Sequence, residues 1–387
     1  MHDREIEQLL SLEIQRQEDT INLIASENYV SDDVLKVLGS VFTNKYAEGY
    51  PGVRYYGGNS IVDALESLTQ QRALALFGLS ADEWSVNVQA LSGSPANLAV
   101  YTALLPLGAK LMGLSLDQGG HLTHGHKASL TGKWWQQVPY ALTADGVLDY
   151  ETIRAIALTE KPTMIVAGYT AYSRVIDWQT FRDIADESGA LLHVDASHIA
   201  GLIAGKAYPS PFAYADTVMM TTHKTLRGPR GALIFSRKSY SEKINKAVFP
   251  GLQGGPHMNA IAGIAVALYE ASQSAFQTYS EEVIKNAQAL ATTLQEKGWH
   301  IISGGTDSHL FLLDTWSNGI SGKAASDALE QEGIVVNKNT IPFDTRSPMD
   351  PSGIRIGTAA ETTRGKTVED MKKIGNDIDR ILRALQQ

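Results

Sequence analysis

Val218-Met219-Met220-Thr221-Thr222-His223-Lys224-Thr225-Leu226-Arg227-Gly228-Pro229-Arg230 sets the reading of the whole chain. The apolar run from Thr217 to Met220 has the length and β-branching of a buried strand. It gives way to two threonines, a histidine and a lysine before a Gly-Pro turn. Lys224 is therefore expected at the carboxyl end of a strand. Open α/β sheets bind ligands along that edge, and a lysine partly stripped of water has a lowered pKa. Its amine is then available as a nucleophile toward a carbonyl or an aldehyde cofactor. A solvated loop lysine looks the same in isolation, so the rest of the chain has to decide.

Working outward, strand patterns at 84–90, 110–116, 163–168, 191–195, 216–220 and 232–236 alternate with helical ones, among them 61–77 and 178–188. That alternation predicts a mostly parallel sheet covered on both faces. Ser60 and Asp63 are expected to cap the helix at 61–77 and Gly78 to stop it. Beyond Pro250-Gly251-Leu252-Gln253-Gly254-Gly255-Pro256 the character changes. A helical pattern over 258–297, broken near Ser280, leads into short strands at 301–303, 309–314, 334–337 and 353–358, with helices at 324–332 and 368–385. The expected organisation is an arm with an amphipathic helix (1–25), a large α/β domain (26–259) and a smaller α+β domain (260–387).

Composition narrows the function classes. Of 387 residues, 43% are hydrophobic and 19% charged, as in ordinary soluble domains. The net charge of −9, from 42 acidic and 33 basic residues without a like-charge block, speaks against nucleic-acid or anionic-membrane partners. With no cysteine, disulfides and thiolate chemistry are excluded. Neither a signal peptide nor an apolar run of bilayer length is evident, so a cytoplasmic protein is expected.

Three further motifs sit where reagents for Lys224 are expected. Leu91-Ser92-Gly93-Ser94-Pro95-Ala96-Asn97 follows a strand and opens a helix, which reads as a phosphate seat of hydroxyls, free N–H groups and a helix dipole, though by itself such a triplet is more commonly just a capped turn. Asp195 ends the run Leu191-Leu192-His193-Val194-Asp195. A buried carboxylate there needs a cation, and the protonated pyridine nitrogen of pyridoxal phosphate is one; a helix cap is the plainer alternative. Arg355, between apolar residues on a strand, is suited to bind an amino-acid carboxylate in a bidentate way, with a structural salt bridge as the plainer alternative. Gly119 to His126 holds three histidines, His121, His124 and His126, which with Asp195 and His198 admit a second reading as the metal site of a hydrolase. The tyrosine- and glycine-rich loop from Thr43 to Gly58 reads as a binding loop.

In their order and spacing, Ala25-Ser26-Glu27-Asn28-Tyr29, Asn44 to Gly58, Gly119 to Gly125, Thr221 to Arg230, Gly251 to Pro256 and Lys338-Asn339-Thr340-Ile341-Pro342-Phe343-Asp344 resemble the serine hydroxymethyltransferase family. The resemblance runs from about Ile21 to the last helix. It implies a fold-type I, aspartate aminotransferase-like large domain with a mostly parallel sheet and a smaller carboxyl-terminal α+β domain. It further implies pyridoxal 5'-phosphate as cofactor, tetrahydrofolate as co-substrate, and a homodimer, or a tetramer of paired dimers, with shared active sites. Under it, Lys224 joins the cofactor aldehyde, His223 precedes it, Asp195 pairs with the ring nitrogen and His121 stacks on the ring. Ser92, Gly93 and Ser94 hold the phosphate with Tyr46, Gly254 and Gly255 of the other subunit; Thr170 and His198 meet the phenolic oxygen, and Arg230 organises the lysine end. Arg355 and Ser26 bind the substrate carboxylate, while Glu48, the proton-transfer group, and Tyr56 reach in from the partner. Tyr55, Leu116, Gly120, Leu122, Asn339, Ser347 and Pro348 fall at the folate positions, and His124 and His126 are structural or peripheral.

The chain departs from the family pattern in several places. Met219 and Met220 stand in a stretch usually of threonines, Ala196-Ser197 replaces Met-Ala, Thr170 replaces a serine, and Gly357-Thr358-Ala359-Ala360 lacks a proline. Three alternatives to folate-dependent serine–glycine interconversion remain at this point. They are a folate-independent 3-hydroxy amino acid aldolase using the same Lys224, Asp195 and Arg355, the metal hydrolase, and a non-catalytic cofactor-binding relative.

Overall fold

The computed structural model describes residues 2–386. Met1 and Gln387, the outer ends of the expected arm and small domain, lie outside the described residues. The central sheet has seven strands: β1 (Trp84–Asn87), β2 (Lys110–Leu114), β3 (Gln136–Tyr140), β4 (Met164–Ala167), β5 (Leu191–Asp195), β6 (Thr217–Thr221) and β7 (Ala232–Arg237). Their spatial order is β1-β7-β6-β5-β4-β2-β3. Only β7 runs against the others, so the carboxyl ends of the remaining strands share one edge. The expected mostly parallel α/β sheet is what the chain forms. β4, β5 and β6 are almost wholly buried, as a sheet covered on both faces requires.

Local chemistry corrects three details. β3 was not expected, because Gln136-Gln137-Val138-Pro139-Tyr140 lacks a clean alternation; at the edge of the sheet, Pro139 costs no ladder bond. The long helical pattern breaks at Ser272-Gln273, between Met258–Ala271 and Ser274–Glu296, and not near Ser280. Ser280 stays inside the helix because its hydroxyl donates to the carbonyls of Phe276 and Gly201. Ser60 and Asp63 do not cap the helix Ser60–Leu76; Asp63 instead accepts from the Arg54 side chain and the Gly52 N–H.

The smaller sheet orders His300–Ile301, Leu310–Asp314, Gly353–Gly357 and Asn337–Asn339, all antiparallel. Ile21–Asn22 pairs in parallel with Ile334–Val335, which ties the start of the chain to this region. The helix Met258–Ala271 and the first half of Ser274–Glu296 (Phe276, Tyr279, Val283) join the core of the large sheet, while Leu290, Ala291 and Leu294 join the smaller core. We propose that the domains divide within the helix Ser274–Glu296. The opening helix, Arg4–Asp19, has no buried residue and exposes Ile6, Leu9, Leu10, Leu12 and Ile14. No helix of the described residues is long and apolar enough to cross a membrane.

Candidate active site

A cavity of about 140 Å³ opens at the shared carboxyl edge, and Ser92, Gly93, Ser94, His121, Thr170, Asp195, His198, His223, Lys224 and Arg230 all line it. β6 ends at Thr221, and the turn that follows carries Lys224, whose Nζ donates to Thr221 Oγ1 at 3.1 Å. The turn is pinned from outside. Asn28 Nδ2 donates to the Lys224 carbonyl at 2.9 Å, and the Arg227 guanidinium lies over the Tyr279 ring at 4.4 Å. Burial, partly offset by Asp195, pulls the Lys224 ammonium down to about 8, so an unprotonated amine is accessible near neutral pH. Burial also pulls His223 down to about 3 and leaves its Nδ1 without a partner.

The helix Gly93–Leu104 starts at the cavity wall. Ser92, its N-cap, makes no side-chain capping bond, so its hydroxyl and the first N–H groups stay available to an anion. Gly93 is required by space: a Cβ there would lie 2.8 Å from Thr221 Cγ2.

Asp195 is buried at the end of β5. Its Oδ2 accepts from Asn97 Nδ2 at 2.9 Å and His124 Nε2 at 3.1 Å; Oδ1 accepts from the Ser197 backbone N–H at 3.1 Å. Burial alone would raise its pKa. The His124 hydrogen bond and the neighbouring histidines outweigh it and hold the carboxyl well below the usual range. His124 is thus a direct partner of Asp195, not a peripheral group. The His121 N–H donates to its Nδ1 at 3.3 Å, which leaves Nε2 to carry the proton toward Asp195. Burial draws His121 down to about 4, a neutral ring in the same cavity.

Arg355 is buried, donating to Asn337 Oδ1 at 3.0 Å and the Thr170 carbonyl at 2.7 Å. Among the described residues no carboxylate pairs with it, so its remaining N–H groups suit an incoming carboxylate. Thr170 donates its hydroxyl to the Gly120 carbonyl at 2.9 Å. His309 Nε2 lies 3.2 Å from the Ala25 carbonyl, which can only accept, and 3.3 Å from His198 Nδ1. His309 therefore donates, and His198 keeps its proton on Nε2.

Other expected residues lie apart. Ser26 lines a neighbouring cavity with His223 and Arg230. Tyr46 contacts Gly255, where a Cβ would meet its ring at 3.3 Å, and bonds Glu48 Oε1 at 3.2 Å. Tyr56 packs edge-on to Tyr46, and Glu48, Tyr55 and Gly254 line one outer cavity. None of these six tyrosine-loop and glycine-turn groups lines the Lys224 cavity of the same chain. Leu116, Gly120 and Leu122 come from the loop after β2, and Asn339, Ser347 and Pro348 from the small domain, with Leu122, Ser347 and Pro348 exposed. Sequence reading missed Asn97 and His309. Asn97 lies one helical turn beyond Gly93, a spacing that carries the signal; nothing local marks His309.

A family model for serine hydroxymethyltransferase matches residues 1–378. Over 380 residues the chain is 53% identical to the serine hydroxymethyltransferase of Desulfotalea psychrophila, covering 98% of this chain and 88% of that one. It is 52% identical over 380 residues to that of Sorangium cellulosum (98% and 89%). To that of Acidothermus cellulolyticus it is 49% identical over 384 residues (99% and 89%). Identity at this level along almost the whole length, on an α/β fold of the expected class, places the chain in the serine hydroxymethyltransferase family of fold-type I enzymes.

Proposed function

We propose that hydroxymethyl transfer between serine and glycine runs in the cavity around Lys224, with pyridoxal 5'-phosphate as cofactor and tetrahydrofolate as the one-carbon acceptor. The observation that carries this reading is a lysine amine of lowered pKa and a buried, ionised Asp195 lining one cavity with an uncapped helix end. The donor set fits the cofactor. Ser92, Gly93 and Ser94 would hold its phosphate, Asp195 Oδ1 has a lone pair for the ring N–H, His121 would cover the ring, and Lys224 would supply the amine for the aldehyde. Thr170 and His198 serve the phenolic oxygen; His223 and Arg230 flank the lysine. When bound, the cofactor supplies an electron sink for the carbanion left at the substrate α-carbon.

The chain's own groups do the rest. Arg355 fixes the substrate carboxylate and thereby aims the α-carbon bonds. Glu48 moves the proton at the serine hydroxyl, with Tyr56 beside it, and Tyr46 and the Gly254-Gly255 turn complete the phosphate seat. Because these groups sit outside the cavity of their own chain, they are assigned to a second copy in a homodimer. Tyr55, Leu116, Gly120, Leu122, Asn339, Ser347 and Pro348 hold the folate.

His121, His124 and Asp195 also place ligand atoms within 4.8 Å of one another. Both ring nitrogens of His124 are already engaged, Nδ1 by the His121 N–H and Nε2 by Asp195, so we read the cluster as a ring seat.

The test is visible absorbance of protein loaded with pyridoxal phosphate, with glycine and then tetrahydrofolate added. A cofactor band lost in Lys224→Ala, and a further change on folate, are expected. A response to glycine that ignores folate turns the reading to a folate-independent aldolase. Mixed Lys224→Ala and Glu48→Ala chains that form heterodimers without regaining activity refute the shared site.

A further inference from the structure

His193 stands two residues before Asp195 on β5, hence on the same face of the strand, and is fully buried with its ring edge-on to Tyr101. Its Nε2 lies 2.9 Å from Asn97 Oδ1 and its Nδ1 2.7 Å from Thr217 Oγ1. None of the roles assigned above uses it.

The direction of every bond in this cluster follows from one charge. Asp195 can only accept, so the Asn97 atom 2.9 Å from its Oδ2 is the amide nitrogen, which also donates to Thr123 Oγ1 at 2.8 Å. Asn97 therefore turns its carbonyl oxygen to His193, and His193 Nε2 must carry a proton. Nδ1 then accepts from the Thr217 hydroxyl. Thr123, already accepting from Asn97, sends its own proton to His121 Nδ1 at 2.7 Å, where the Thr123 backbone N–H also donates at 3.2 Å. His121 is left with its proton on Nε2.

We propose that His193 is a positioning residue: by donating to the Asn97 carbonyl it holds that amide in register, so that one NH2 group serves both Asp195 and Thr123 and sets the His121 tautomer. Asn97 sits one turn past Gly93, so the relay also joins the phosphate seat to the ring seat. Without the His193 N–H, the Asn97 carbonyl is a buried acceptor with no partner, and the amide rotates or shifts to relieve it at the expense of its bonds to Asp195 and Thr123. The groups facing His193 are Asn97, Thr217 and Tyr101, with Asp195 and His124 nearby. Burial draws His193 down to about 4, so the relay stays in one protonation state at neutral pH.

The effect on cofactor affinity rests on the pyridoxal phosphate reading; the tautomers do not. Nitrogen-15 histidine spectra of the cofactor-free protein are expected to show His193 and His121 both protonated on Nε2. In His193→Phe the His121 signal should move toward a tautomer mixture and pyridoxal phosphate should bind about tenfold more weakly. His193→Gln, whose amide N–H can reach Asn97, should restore both. Thr217→Val, a milder change, should move both in the same direction if His193→Phe does not fold. A His193 proton on Nδ1, or a folded His193→Phe with unchanged His121 tautomer and unchanged affinity, overturns the proposal. If the unsubstituted protein binds no pyridoxal phosphate, the cofactor reading fails while the tautomers still decide the relay.

Discussion

The Arg355 guanidinium donates to the Thr170 carbonyl at 2.7 Å, which joins a strand of the small sheet to the loop that follows β4 of the large one. Burial lowers this arginine to about 10, and no carboxylate of the described chain offsets the cost. A cation held this way is poised for a ligand anion. Arg355→Lys keeps the charge but loses the planar fork, and is expected to raise the serine KM about 10- to 100-fold while cofactor absorbance stays unchanged. Steady-state kinetics with serine check this; an unchanged KM contradicts the carboxylate assignment.

Ser92 and Thr367 are both hydroxyl N-caps but differ in their bonding. Thr367 caps its helix in a reciprocal capping box with Asp370, whereas Ser92 makes no capping bond. Thr367→Ala should therefore cost about 1 kcal/mol of stability. Ser92→Ala should stay within about 0.5 kcal/mol and instead weaken pyridoxal phosphate binding. Denaturant melts of the apo proteins and cofactor titrations separate the two effects.

The lowered pKa of Lys224 has a stability consequence with a definite sign. Burial depresses the folded value from 10.5 to about 8, so between those limits the unfolded chain binds more protons than the folded one. Stability contributed by this group thus rises with pH from about 8 to 10.5, as the cost of burying the charge is relieved, and is flat below that window. Apo Lys224→Met should lack this component. Melting curves of the two proteins across the window measure the difference, and parallel profiles would rule the buried amine out.

Arg54 anchors the hairpin beside Glu48. It donates to Asp63, to fully buried Glu66 and to the carbonyls of Ala47 and Gly49, while Gln89 bridges Glu66 and Gly49. Burial pushes the Glu66 carboxyl up against the pull of Arg54. Arg54→Met strands that acid and should cost about 3–5 kcal/mol, with much of the loss recovered on adding Glu66→Gln. A double-mutant cycle by chemical denaturation reads this directly.

Much of the site was legible because a parallel sheet makes position along the chain into position in space. Lys224, His121 and Ser92 follow, and Asp195 ends, strands whose carboxyl ends lie on the common edge, so reading strand ends amounted to reading the cavity wall. The reading weakened where the determining contact is non-local. β3 has poor alternation and forms because β2 offers a free edge. The helix break at Ser272-Gln273 lies inside the large core, where Ala271 before it and Phe276 after it both pack, so it is set by packing and not by the change of domain. His124 could not be told from His126 by sequence, since both are histidines of one loop; only the placement of β5 against that loop selects His124 for Asp195.

Residue order by itself determined the α/β class, the polar residues at the strand ends and the Ser-Gly-Ser turn into a helix, because period, β-branching and glycine punctuation act over a few neighbours. The tertiary structure decided which groups share protons. His193, Asn97 and the His121–Thr123 loop are far apart along the chain, and the bond directions among them depend on the buried charge of Asp195, which has meaning only once water has been excluded around it. It also decided that Tyr46, Glu48 and Tyr56 do not line the cavity of their own chain, an outcome of packing that no local pattern encodes.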